Sequence, residues 1–223
     1  WPAPQYIVST RAGMHRFSWD LKLDPVSPLD LIPAGDEEAQ GAVPGRTYPQ
    51  YNIPWAPPGA YTVRLTVDGK RHTQPLRLVL DPRVRITPVA LAKLTALSME
   101  MYDGAVAAHR AFLAAKELAQ QVGGLTGAAA DTLKADLEEL APTGVQRNLR
   151  AFRRRGGPAT APSLETVSNA LQAAAMAMQS AESAPTAMQQ AACDAARAQY
   201  VAVMARWRSA QARAATLRGS ARP

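Results

Sequence analysis

Tyr61-Thr62-Val63-Arg64-Leu65-Thr66-Val67-Asp68-Gly69, the run from about Arg71 to Leu80, and then Thr87-Pro88 decide how this chain divides. Apolar and polar residues alternate from Tyr61 to Val67, which is the period of a half-buried strand with Tyr61, Val63, Leu65 and Val67 on one face. Asp68-Gly69 suits a two-residue type I′ turn, because both central positions of that turn need positive φ. The return strand sets Leu76, Leu78 and Leu80 on one face. At Thr87-Pro88 the period changes. A threonine able to cap and a proline at the first helical position make a good helix start. Leu91, Leu94, Met101, Ala105, Ala108, Phe112, Ala115 and Val122 then recur at heptad-like spacing as far as Gly123-Gly124.

Upstream of the hairpin, Tyr6-Ile7-Val8 and the alternating Phe17 to Leu23 read as further strands. Between them and the hairpin, Pro25 to Pro58 is rich in proline, glycine and acids and reads as a long loop, of a length that points to function or to a neighbour it covers. Its aromatic residues Tyr48, Tyr51 and Trp55 either close an open sheet edge or form a contact surface. Downstream, a short helix is expected from about Ala128 to Leu140, stopped by Pro142. Residues 143–162 carry Arg147, Arg150, Arg153, Arg154 and Arg155 before Gly156-Gly157-Pro158, and read as an exposed basic linker. Ser163 is a good N-cap for a helix to about Ser183. Pro185 opens a last helix with Ala196, Tyr200, Val203, Trp207, Ala210 and Leu217 on one face.

Residues 163–218 contain 19 alanines. Alanine favours helix but buries little area, so such helices gain contact energy only by close approach. The expected bundle core is Leu94, Met101, Phe112, Leu171, Val203 and Trp207. The expected sheet core is Phe17 or Trp19 with Tyr61, Val63, Leu65 and Leu78, and a Val63→Asp change is then expected to unfold the β-module.

The formal charge is +7, unevenly placed: residues 1–141 hold 14 Lys+Arg against 15 Asp+Glu, while residues 142–223 hold 11 Arg against 3 acids. A basic surface of this kind favours phosphate, anionic lipid headgroups or an acidic protein face; the plainer alternative is a solvated surface. The arginines come without a helix-turn-helix, zinc-finger or RNA-motif aromatic pattern, so nucleic acid is not the expected partner. Cys193 is the only cysteine, which excludes an internal disulfide and a cysteine-based metal site. No apolar run approaches the roughly 20 residues of a spanning helix. The first residue is Trp1, from which a removed upstream signal, anchor or domain is expected.

His15, His72 and His109 share no metal-ligand spacing. No GxSxG elbow, Walker loop or dinucleotide fingerprint is present. Glu138-Glu139 are helical neighbours that point apart, and Asp36-Glu37-Glu38 have no placed partner, so neither is a glycosidase pair. No catalytic residue, cofactor or metal is expected, and the chain reads as a non-enzyme.

Gly13-Met14-His15-Arg16-Phe17-Ser18-Trp19-Asp20-Leu21, Pro58-Gly59-Ala60-Tyr61, Gln74-Pro75-Leu76 and Leu80-Asp81-Pro82-Arg83-Val84 resemble the segment after the β-propeller in exported bacterial BNR-repeat, sortilin-like proteins often labelled glycosyl hydrolases. The Trp-Asp and Pro-Gly-x-Tyr pieces are also similar to immunoglobulin-like domains of the flagellar hook-capping kind. Leu171-Gln172, Ser180 to Ala187 and Arg206-Trp207 resemble the C-terminal helices of the propeller family. The resemblance implies a periplasmic or extracellular accessory module without the propeller that would carry any activity.

The expected architecture is thus α+β. Residues 1–86 form an Ig-like antiparallel β-sandwich, residues 87–218 an up-down-up bundle of three long helices with a short connecting helix, and residues 219–223 a tail. The expected role is a structural subunit docking other proteins, as a peripheral part of a larger membrane complex or against an anionic lipid surface. Tyr48, Tyr51, Trp55, Arg153, Arg154 and Arg155 are the expected contact residues. The alternatives are an accessory domain of a propeller hydrolase and a binder of anionic polymers.

Overall fold

The computed structural model describes residues 10–17, 19, 21–27, 54–142, 161–179 and 181–220. Within them lie two strands, β1 (Gly59–Val67) and β2 (Lys70–Leu78), and four helices, α1 (Pro88–Val122), α2 (Ala128–Leu140), α3 (Leu164–Met178) and α4 (Ala187–Ser220).

Local chemistry fixes most of these boundaries. The hairpin pairs Val67 with Lys70 across Asp68 (φ 48°) and Gly69 (φ 76°), the two positive-φ positions of the tight turn. Thr87 Oγ1 accepts the Ala90 N–H at 3.2 Å, Pro88 lies in the first turn, and α1 runs 35 residues to Gly123. Gly127 begins α2 at φ 109°, a conformation that side chains disfavour. Ser163 Oγ accepts the Thr166 N–H and opens α3. Thr186 and Gln189 form a reciprocal capping box: Thr186 Oγ1 accepts the Gln189 N–H at 3.2 Å, and Gln189 Oε1 accepts the Thr186 N–H at 2.8 Å.

The helices form one packed bundle. Lys93 bonds Gln190, Glu100 pairs with Arg197, and Arg218 bonds Gln121, each pair 97 residues apart. A constant separation means that α1 and α4 run parallel without slip over about 42 Å, from a rise of 1.5 Å per residue. α3 runs the opposite way: Ser168 Oγ donates to the Ala105 carbonyl at 2.9 Å, and Gln179, past its end, reaches back to Ser98. α2 also descends along α4, since Asp136 pairs with Arg213 and Glu139 with Arg206. The bundle therefore goes up, down and up, with the descending arm broken into α2 and α3.

All six residues expected in the bundle core are buried, from 1% exposed for Met101, Leu171 and Val203 to 8% for Leu94. Alanines fill the spaces between them: Ala105, Ala108, Ala115, Ala175, Ala210 and Ala214 are wholly buried. The Ser168 bond to a main-chain carbonyl on the neighbouring helix requires the close approach that alanine permits.

The Ig-like β-sandwich is overturned. The described residues contain one two-stranded antiparallel sheet, and helix dominates. Among the described residues from Phe17 to Leu23 no strand is found: Leu21 adopts φ 63° and Lys22 makes an isolated bridge to Trp55. Leu23 donates its N–H to Pro54 and Leu21 accepts from Ala56, so this segment pairs briefly with the chain entering the hairpin. No sheet core exists among the described residues: Phe17 is 49% exposed, Val63 and Leu65 are 51% exposed, and Trp19 touches Tyr61 edge-to-face at 5.9 Å from an exposed position. Alternation shows that a strand has an apolar face; it does not supply the layer that covers it.

Among the described residues the bundle likewise has two long helices, not three. The helix expected to reach Ser183 ends at Met178, where Gln179 leaves the axis. Tyr6-Ile7-Val8 lies outside the described residues.

A consequence follows for Val63→Asp. At an exposed position facing Gln74 across the hairpin, the carboxylate stays hydrated. The melting temperature of the bundle, followed by helical circular dichroism, is expected to stay within the range of a surface change, about 0.5 kcal/mol. Loss of the helical transition would restore a sheet core.

Candidate functional site

Trp55 is the one expected contact residue that the structure describes; Tyr48, Tyr51, Arg153, Arg154 and Arg155 lie outside the described residues. A backbone bridge and a side-chain acceptor hold the main chain of Trp55. Its residue bridges Lys22, and its N–H donates to Gln179 Oε1 at 3.1 Å. The Gln179 Nε2 donates in turn to Ser98 Oγ at 2.9 Å, and Ser98 is 3% exposed on α1. One amide side chain thereby ties the loop before the hairpin to two helices. The anchoring leaves the indole free: Trp55 is 61% exposed.

Trp55 borders a cleft of about 410 Å³ between the hairpin base and the bundle. Leu21, Pro57, Leu78 and Leu80 line one side; Leu91, Leu94 and Met99 of α1, with Met178 of α3, line the other. The polar groups there are few, chiefly Ser98, Thr95, Gln179 and the acids Asp81 and Glu182. Asp81 is occupied: Arg83 donates to both its oxygens and holds its carboxyl below the ordinary range. The lining favours apolar contact and offers no paired acid and base. The cleft is attached to the bundle by Val26, which joins its buried cluster, and by Tyr102, whose hydroxyl donates to the Asp24 carbonyl at 2.8 Å.

A second feature is the hairpin's uncovered face. Tyr61, Val63, Leu65 and Val67 stand opposite Leu76, Gln74, His72 and Lys70 in register. Val67 is 47% exposed, and no residue of either strand belongs to the buried cluster. The face runs into the cleft through Leu78.

Three of the five arginines of α4 are paired with acids and do not form the expected open basic surface. Arg197 bridges Glu100 and Asp194, Arg206 pairs with Glu139 at 2.8 Å, and Arg213 with Asp136 at 2.6 Å. The guanidinium of Arg197 holds the Glu100 carboxyl below its ordinary pKa. These cations hold helices together, and the charge count along the chain had separated them from acids that lie beside them in space.

The remaining reactive groups are dispersed. His109 is half-buried and tilted against Phe112, His72 is exposed on β2, and His15 bonds the Arg11 carbonyl. Burial pushes the Cys193 thiol up in pKa. Among the described residues no group of three or more His, Cys, Asp or Glu gathers at metal-binding distance, and no helix is long and apolar enough to cross a membrane. No protein-family model matches this chain, and no curated protein or solved structure matches it either.

Proposed function

We propose that the chain is a non-catalytic docking subunit that binds another protein through Trp55 and the cleft beside it, outside the cytoplasm and at the periphery of a membrane complex. The observation that carries this reading is the way Trp55 is held. Its backbone is fixed through Gln179 to a buried serine, while its side chain stands in solvent at the rim of an apolar cleft. A tryptophan in that position loses little freedom on contact, and tryptophans dominate the energy of many interfaces. The extracytoplasmic place rests on the resemblance to exported propeller proteins.

Trp55→Ala is expected to weaken retention in the native assembly by about 2 kcal/mol, roughly thirtyfold in affinity, and to leave the helical melt unchanged. The same loss should appear at low and high salt, because apolar contact is not screened. Replacing Arg153, Arg154 and Arg155 by serine gives the comparison. Full retention of Trp55→Ala at both salt concentrations would remove the cleft from the interface.

A further inference from the structure

The hairpin carries a chemistry that the docking cleft does not use, and we infer that it is an interfacial anchor for an anionic lipid bilayer. One face presents Val63, Leu65 and Val67, each about half exposed, with Gln74, His72 and Lys70 opposite them on the same face. The other presents Arg64, Arg71 and Arg77, and Lys70 stands at the turn. Between residues 59 and 78 there are four basic residues and one acid, Asp68. Among the described residues no ion pair engages any of the four.

Size argues for a bilayer over a folded partner. Beyond the cleft that it adjoins at Leu78, the two strands of nine residues add a face of only about 300 Å², from their rise and spacing, whereas a stable protein interface needs about 800 Å² per partner. A bilayer needs no matching surface. It takes apolar side chains at the acyl boundary while basic residues reach phosphate, which is how interfacial segments bind. The two open strand edges keep the hairpin out of the hydrocarbon core, where their unpaired N–H and C=O groups would find no partner, and leave it in the hydrated headgroup layer. A two-stranded ribbon standing in water is marginal, so a surface that covers one face also stabilises it.

The test uses the full chain sedimented with vesicles of phosphatidylcholine alone or mixed with phosphatidylserine. Binding is expected only to the mixed vesicles, falling as salt rises, with each basic residue worth about fivefold in partitioning. Val63→Thr with Leu65→Ser should reduce binding at least tenfold without altering the helical melt, since both positions are exposed. Arg64→Gln with Arg71→Gln should reduce it by about twenty-five-fold. Trp55→Ala should bind vesicles normally, which separates failure of the docking cleft from failure of the anchor. Three results would overturn the inference: no vesicle binding, binding that survives both hairpin variants but is lost with Arg153, Arg154 and Arg155 changed to serine, or equally strong binding of the hairpin to an acidic polypeptide in competition with lipid.

Discussion

Leu171→Ala is expected to lower the unfolding free energy by about 3 kcal/mol, within the range found for buried leucines cut back to alanine. The side chain is 1% exposed and lies over Gly104 on the facing helix α1. A methyl group built on Gly104 would stand 3.3 Å from Leu171 Cδ1 and 3.5 Å from Cδ2. Glycine is therefore in α1 to admit Leu171, at a helix-propensity cost of about 1 kcal/mol against alanine. Gly104→Ala alone should be close to neutral, because the gained propensity is offset by crowding. In the Leu171→Ala background the crowding atoms are gone, and the same substitution should recover about 1 kcal/mol. Urea titrations of the four proteins measure this coupling directly. Strict additivity would show that α1 and α3 do not meet at this point.

Leu137→Asp is expected to unfold the chain or lower its stability by more than about 4 kcal/mol. Leu137 is wholly buried on α2, between α1 and α4. Its replacement would strand a carboxylate beside the apolar residues Leu133 and Leu140, and the charges of Arg206 and Arg213 are already met by Glu139 and Asp136, although each guanidinium keeps one buried nitrogen without a partner. Leu137→Met, which keeps volume and polarity, should cost less than about 1.5 kcal/mol and serves as the control. Thermal unfolding followed by circular dichroism checks both. If Leu137→Asp instead melts in two steps, with most of the helical signal persisting through the first, α2 is not part of the cooperative unit.

The helix starts and the stop of α1 were legible because they are set by chemistry within four residues, whereas the end of α3 at Met178 was not. Thr87-Pro88, Ser163 and the stop before Gly123-Gly124 all carry side-chain or backbone reasons that a linear reading finds, and so does the Asp68-Gly69 turn. Pro185, the start expected for α4, lies one residue before the capping threonine, and the Thr186–Gln189 box, also present in the sequence, marks that start more closely. The sandwich was not legible, because whether Val63 and Leu65 are covered depends on residues far from them. The same limit applied to charge. Arg206 and Glu139 are 67 residues apart, and a count by chain segment reads their pair as one excess positive and one excess negative charge. At the candidate site, the aromatic character of Trp55 singled it out, but nothing near it in sequence pointed to Gln179, 124 residues away, which fixes its backbone.

The parallel pairing of α1 with α4 bears on how this sequence selects one arrangement among near-equals. At the alanine positions sliding one helix by a turn exchanges one methyl group for another, so the alignment rests on the few larger core residues, such as Val203 and Trp207, and on side-chain pairs. Such a slide, about 5.4 Å, would part Lys93 from Gln190, Glu100 from Arg197 and Gln121 from Arg218 at the same time. Each of these exposed pairs contributes little to stability by itself, commonly under about 1 kcal/mol. Acting together at one fixed spacing, they penalise every slipped alignment while adding modestly to the correct one. Substituting all three leaves Trp207 and the Arg206 and Arg213 pairs to hold the middle of α4, so the protein is expected to unfold at nearly the same temperature with nuclear magnetic resonance signals broadened at the two ends of that helix.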